Sequence, residues 1–258
     1  MTQSYPSLPE LIDLDFGDFA DDLPLYEQLA QRSDGPILEL GIGTGRVALP
    51  LAQSGCEVWG IDHSAAMLEH ARSKGAPDVI SRLHLTLADM RDFTLDQKFA
   101  LIFAGAGGFD HLVTPDDQAR GLRRVRDHLL PGGLFVCDLR PVLHNSWELG
   151  DSAPIFHDWT RELPEHGVTV MKTHSVRADA ARQYQCQTNI YDCLSADGNV
   201  RRIVDEVDLR FTTRYEMEGL LRDAKLELDQ VYGDYDLAPY DSTSEYMITI
   251  ARRPEEPS

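Results

Sequence analysis

Apolar positions follow two alternating rhythms along the first half of the chain. Short, nearly unbroken apolar runs at Ile37–Leu40, Val58–Ile61, Phe99–Ala104 and Leu134–Leu139 read as strands buried on both faces, and Leu83–Leu87 alternates as a further strand. Between them, apolar residues return every three or four positions. Leu25 and Leu29 mark a helix over 19–32, and Arg46–Gln53 begins another. Met67, Leu68 and Ala71 mark a third, which Ser64 caps and which runs to about Arg72. Pro115–Leu130 is a fourth, stopped by Pro131-Gly132-Gly133. Strands that alternate with helices predict a doubly wound, mostly parallel sheet.

The rhythm then changes. Residues 145–166 read as loop, and Val168–Val176, Gln183–Leu194 and Val200–Phe211 as three strands. Asp197-Gly198 is a hairpin signal between the last two, and no helix separates the three, so an antiparallel lid inserted after the fifth strand is expected. Thr213 caps a helix to about Ala224, and Leu226–Tyr232 and Tyr246–Ala251 bring the main sheet to seven strands. Residues 1–18 are acidic and read as irregular. The expected organisation is 1–144 as N-terminal segment and α/β core, 145–211 as lid, and 212–258 as completion of the core.

The first candidate chemistry lies where the first strand ends. Ile37–Gly45 reads ILELGIGTG, and Asp62 closes the next strand. A glycine turn opening a helix, followed by a carboxylate at the end of the second strand, is the pattern of a nucleotide-ribose site. A dinucleotide turn needs a third glycine where this chain has Arg46, because bare backbone must approach a pyrophosphate. Glu39 stands two residues before the first glycine, where it opposes a phosphate but accepts from an ammonium. The site suits a ribose-bearing cation without phosphates, the character of S-adenosyl-L-methionine.

Composition narrows the partners. The chain has 258 residues, 42% hydrophobic, with a formal charge of −19, a balance unsuited to nucleic-acid backbones or anionic membranes. No run approaches a transmembrane span. Cys56, Cys137, Cys186 and Cys193 form no C-x-x-C pair and read as reduced, which with the lack of a leader-like segment predicts a cytoplasmic protein. The histidines show no metal-ligand spacing. The assembly is expected to be a monomer or a homodimer.

With ELGIGTG, GIDHS, ADMRDF, HLLPGGLFVCDL and the tail TRYEMEGLLRDAKLELDQVYGDYD in view, the chain resembles class I S-adenosylmethionine-dependent methyltransferases. The resemblance is to their small-molecule branch with an antiparallel lid, as in sugar N-methyltransferases and glycine-type N-methyltransferases. It implies that Glu39, Gly41 and Gly43 lie under the methionine part and that Asp62 accepts both ribose hydroxyls. It further implies that His63 and Met67 flank the adenine and that Asp89 and the Met90 backbone bond its edge. Gly105 and Ala106 would line the methyl-transfer side, with Phe16 or Phe19 closing over the cofactor.

The acceptor side is less constrained. A hydroxyl acceptor benefits from a general base, and Asp110 and His111 follow the fourth strand, where ligands bind in such sheets. Arg210, Tyr232 and Trp147 are candidates for holding the acceptor; for Arg210 the competing role is a salt bridge to Glu206, Asp208 or Asp234. The expected activity is methyl transfer to an amine or hydroxyl of a small molecule. The alternatives are cofactor binding without turnover or with a modified cofactor, and an NAD-dependent oxidoreductase.

Overall fold

The computed structural model describes residues 5–17, 19–140 and 153–255. It divides into two compact units, Gly17–Pro141 with Thr212–Ser258, and Met1–Phe16 with Val142–Phe211. Residues 1–16 thus group with the lid residues, whereas the sequence reading attached them to the core.

The larger unit holds seven strands: β1 Ile37–Leu40, β2 Val58–Asp62, β3 Leu83–Leu87, β4 Phe99–Ala104, β5 Leu129–Leu139, β10 Glu227–Tyr232 and β11 Met247–Arg252. They form one sheet in the order β10-β11-β5-β4-β1-β2-β3. Every pair is parallel except those of β11, which runs antiparallel to β5 and β10. The unbroken apolar runs follow from burial on both faces. Leu38, Leu40, Ile102 and Phe135 pack with Leu122 and Val125 of α6 (Pro115–His128) and Met217 and Leu221 of α7 (Arg214–Asp223). Their neighbours Ile37, Leu101, Phe103 and Val136 pack with Leu25 and Tyr26 of α2 (Leu23–Arg32) and Leu51 of α3 (Ala48–Gln53). Helices α4 (Ala65–Lys74) and α5 (Pro77–Ile80) lie between β2 and β3 in the chain.

Helix starts follow the caps. Ser64 Oγ accepts from Met67 N, Thr114 accepts from Asp117 N, and Thr213 with Glu216 forms a capping box. Pro131-Gly132-Gly133 is a correction: it does not separate helix from strand but lies inside β5. Phe99 faces Leu129 and Leu101 faces Leu134, so the three residues bulge, and Gly132 and Gly133 exchange backbone bonds with Arg253.

The smaller unit holds α1 (Leu8–Phe16) and four strands, β6 Phe156–Leu163, β7 Val168–Asp179, β8 Tyr184–Ser195 and β9 Val200–Arg210. The strands form an antiparallel sheet in chain order. β7, β8 and β9 match the three expected strands, and the turn at Asp197-Gly198 joins β8 to β9. Two expectations are corrected. Part of the predicted loop is β6, an edge strand on β7 with a bulge between His157 and Trp159. The N-terminal segment is helical from Leu8, since Leu11 is buried against Leu163, Val168, Val170, Tyr191 and Cys193. A charged tie accompanies this contact. Asp15 accepts from Tyr191 Oη at 2.5 Å and Trp159 Nε1 at 2.8 Å, and pairs with Lys172 at 2.8 Å. Lys172 also pairs with Asp158 at 3.2 Å, and Asp158 bonds His174 at 2.6 Å.

Candidate functional site

Ligands bind in such sheets at the carboxyl ends of the strands, where the winding reverses. Here that point lies between β1 and β4. The turn leaving β1 has left-handed backbone at Gly41, Gly43 and Gly45, with φ of 68°, 54° and 79°. It folds back on β2 through Ile42 N, which donates to Ile61 O, and Gly60 leaves the room Ile42 occupies. Gly43 N donates to Asp62 Oδ2 at 2.9 Å and Ser64 N to Oδ1 at 2.8 Å. Two backbone donors thereby aim the Asp62 carboxylate and leave it lone pairs for a pair of hydroxyls.

Glu39 is buried, and its Oε2 has no hydrogen-bond partner among the described residues. Burial pushes its carboxyl well above the usual range, while the Arg46 charge pulls it down. A buried oxygen without a donor is costly, and an ammonium supplies both the proton and the charge. Arg46 does not fill that role: its guanidinium reaches Asp22 at 2.7 and 2.5 Å and the Phe19 carbonyl at 3.2 Å.

The remaining donor-side residues lie around this turn. His63 is exposed, with Nδ1 3.6 Å from Asp62 Oδ1, and Met67 is half-buried on α4. The Met90 methyl lies 3.3 Å from where a side chain on Gly41 would begin. Asp89 caps its own turn, accepting from Arg91 N and Nε at 2.9 Å, and that pairing holds its carboxyl below the usual range.

The segment after β4 faces the end of β1: a side chain on Gly108 would begin 3.5 Å from Leu40 O. Gly105 lies against the Tyr26 ring. Ala106 and Gly107 are consecutive left-handed residues, at φ 53° and 73°, so both amides point the same way. They donate to Asp138, at the end of β5, at 2.9 and 2.6 Å. Asp138 also accepts from Tyr26 Oη at 3.1 Å and Tyr235 Oη at 2.7 Å. Asp138, Tyr26 and Tyr235 were not singled out from sequence. Yet Asp138 ends an apolar strand as Asp62 does, and that position was the available signal.

Asp110 and His111 follow in a 3-10 turn, Gly108–His111. The structure separates their environments. Asp110 is buried, accepts from Arg140 N at 3.2 Å and leaves Oδ1 without a hydrogen-bond partner among the described residues. Burial raises its carboxyl well above the usual range, and the Asp138 charge adds to this. His111 is exposed.

Of the acceptor-side candidates, Arg210 belongs to the smaller unit and Tyr232 to the larger. Arg210 is buried and donates to Arg182 O at 3.0 Å and Gln183 Oε1 at 2.9 Å. Tyr232 ends β10 and packs, half-buried, against the core of the larger unit. Phe16 ends α1 in the smaller unit, whereas Phe19 of the larger unit lies edge-on to Tyr235 at 6.0 Å. Trp147 lies outside the described residues.

Residues 37–133 match a family described as a methyltransferase domain. A cypemycin N-terminal methyltransferase from a Streptomyces species is 26% identical over 217 residues, 84% of this chain and 82% of that protein. A dTDP-3-amino-3,6-dideoxy-alpha-D-glucopyranose N,N-dimethyltransferase from Streptomyces fradiae is 33% identical over 102 residues, 40% of this chain and 38% of that protein. The solved CcbJ methyltransferase from Streptomyces caelestis superposes with a TM-score of 0.74 at 28% identity, covering 90% of this chain and 94% of that one.

Proposed function

We propose that this chain, a class I S-adenosylmethionine-dependent methyltransferase, methylates the amine of a small molecule. The observation that carries the reading is the pair of carboxylates around the left-handed turn, Asp62 aimed by two backbone amides and Glu39 with an unsatisfied buried oxygen. Bound S-adenosylmethionine supplies an electrophilic methyl group on a sulfonium. Asp62 holds the ribose hydroxyls, Glu39 takes the amino-acid ammonium, and Gly41 and Gly43 let the backbone approach. His63, Met67, Asp89 and Met90 bound the adenine, and Gly105 and Ala106 border the transferring methyl. The in-line displacement itself needs alignment and exclusion of water, and a protonated acceptor must first lose its proton.

An amine acceptor must be neutral to attack, and we assign its proton to His111, at the exposed end of the turn after β4. Amine acceptors are favoured because the similar proteins are a cypemycin N-terminal methyltransferase and an N,N-dimethyltransferase of a dTDP-linked 3-amino sugar. The charge of −19 argues against nucleic acid as acceptor, and among the described residues no helix is long and apolar enough to cross a membrane.

Mass spectrometry tests the reading. The purified chain with S-adenosylmethionine is offered nucleotide-linked amino sugars and peptides with free N termini. The expected result is a single-methyl mass increase on an amine. Binding of NAD with none of S-adenosylmethionine would overturn the reading. His111→Ala is expected to lower turnover by about 10²-fold or more at neutral pH with cofactor affinity retained; full activity would remove it from the proton path.

A further inference from the structure

Asp138 is held by four donors in the larger unit, and the methyl-transfer scheme leaves it without a task. Oδ2 receives Tyr26 Oη, Ala106 N and Tyr235 Oη, and Oδ1 receives Gly107 N; burial pushes this carboxyl above its ordinary range, and the bonds from Gly107, Tyr235 and Ala106 favour the ionised form against it. The donors come from three separate parts of the chain, α2, the turn after β4 and the segment after β10. A core carboxylate needs no such setting for packing, since an apolar residue would fill the space without desolvating a charge. Two left-handed residues in succession, one of them not glycine, carry a conformational cost that the Asp138 bonds offset.

The place of this charge gives it a role. Ala106 borders the methyl-transfer side in the proposed function, and its amide touches Asp138 directly. The methyl donor carries a positive sulfur before transfer and a neutral one after it. A fixed negative charge in a desolvated wall attracts the first and not the second.

We propose that Asp138 is a positioning residue that sets the Ala106–Gly107 turn and makes the site prefer a cationic centre at the methyl-bearing atom over the neutral product. The inference rests on the methyltransferase reading. It implies that the loss of charge on transfer weakens the hold on the product and eases its exchange.

The test compares two ligands by calorimetry. Sinefungin carries an ammonium-bearing carbon where S-adenosylhomocysteine carries a neutral sulfur. Their shared ribose and amino-acid groups make the Asp62 and Glu39 contributions cancel in the ratio of affinities. The wild-type chain is expected to favour sinefungin by about tenfold or more, and Asp138→Asn to lower that ratio at least about fivefold. Asp138→Glu, which keeps the charge, is expected to restore part of it. A purely structural role weakens both ligands together, so an unchanged ratio in Asp138→Asn would overturn the proposal. Should that variant fail to fold, equal wild-type affinity for the two ligands overturns it alone. A wild-type chain that binds neither ligand would instead overturn the methyltransferase reading, and no methyl acceptor is needed to tell these outcomes apart.

Discussion

Asp62 and Asp110 show how neighbours decide what a carboxylate does. Two backbone amides donate to Asp62 and fix its aim. Asp62→Asn keeps the shape but converts one acceptor oxygen into a donor that faces an amide. S-adenosylhomocysteine affinity is expected to fall about tenfold or more by calorimetry, with little change in melting temperature. Asp110 is the opposite case, a buried carboxyl with one bonded oxygen. Burial first, and then the Asp138 charge, raise its folded pKa above the unfolded value. The neutral form is favoured in the fold, so its contribution is fully present below the ordinary carboxylate range and is lost as pH rises through the raised value. Asp110→Asn should therefore gain on the wild type as pH rises from about 4 toward 8, by about 2–4 °C in melting temperature at the upper end. A gap that does not change with pH would refute this.

At the scale of elements, strength of pattern decided what could be read. Strands β1, β2 and β4 are buried on both faces, and their apolar runs marked them. Strand β6 is an edge strand, FHDWTREL, whose side chains are mostly exposed, so it carries no apolar run. Helix α1 has nine residues and is too short to be stable alone. Its stability comes from Leu11 and from the Asp15 tie to Lys172, Tyr191 and Trp159. Asp15→Ala leaves three donors short of an acceptor and removes one of the two anions at a largely buried ammonium. The expected cost is about 2–4 kcal/mol, seen as faster amide exchange in α1 and β7. Exchange that stays at the wild-type rate in both would show that the apolar contacts of Leu8, Leu11 and Leu14 and the Glu10–His166 pair hold the helix without Asp15.

For the whole molecule, 43 acidic residues against 24 basic ones impose self-repulsion. The melting temperature is expected to rise by a few degrees between low salt and about 0.5 M sodium chloride, where the screening length is a few ångströms. A fall with salt would mean that surface ion pairs such as Arg202–Asp192 outweigh the repulsion.

The sequence by itself determined the sheet, its crossover helices, the antiparallel insertion, the glycine turn after β1 and the carboxylate that ends β2. Each rests on a local signal: apolar period, caps, the Asp197-Gly198 turn, and glycines at φ values that side chains resist. The tertiary structure alone decided the grouping of residues 1–16 with the lid, the pairing of β6 and the gathering of Tyr26, Ala106, Gly107 and Tyr235 on Asp138. The Asp138 bonds and the grouping of residues 1–16 join residues far apart in the chain, and β6, though next to β7 in sequence, is too exposed to carry an apolar run. Their free energy is realised only on burial, and no local period encodes it.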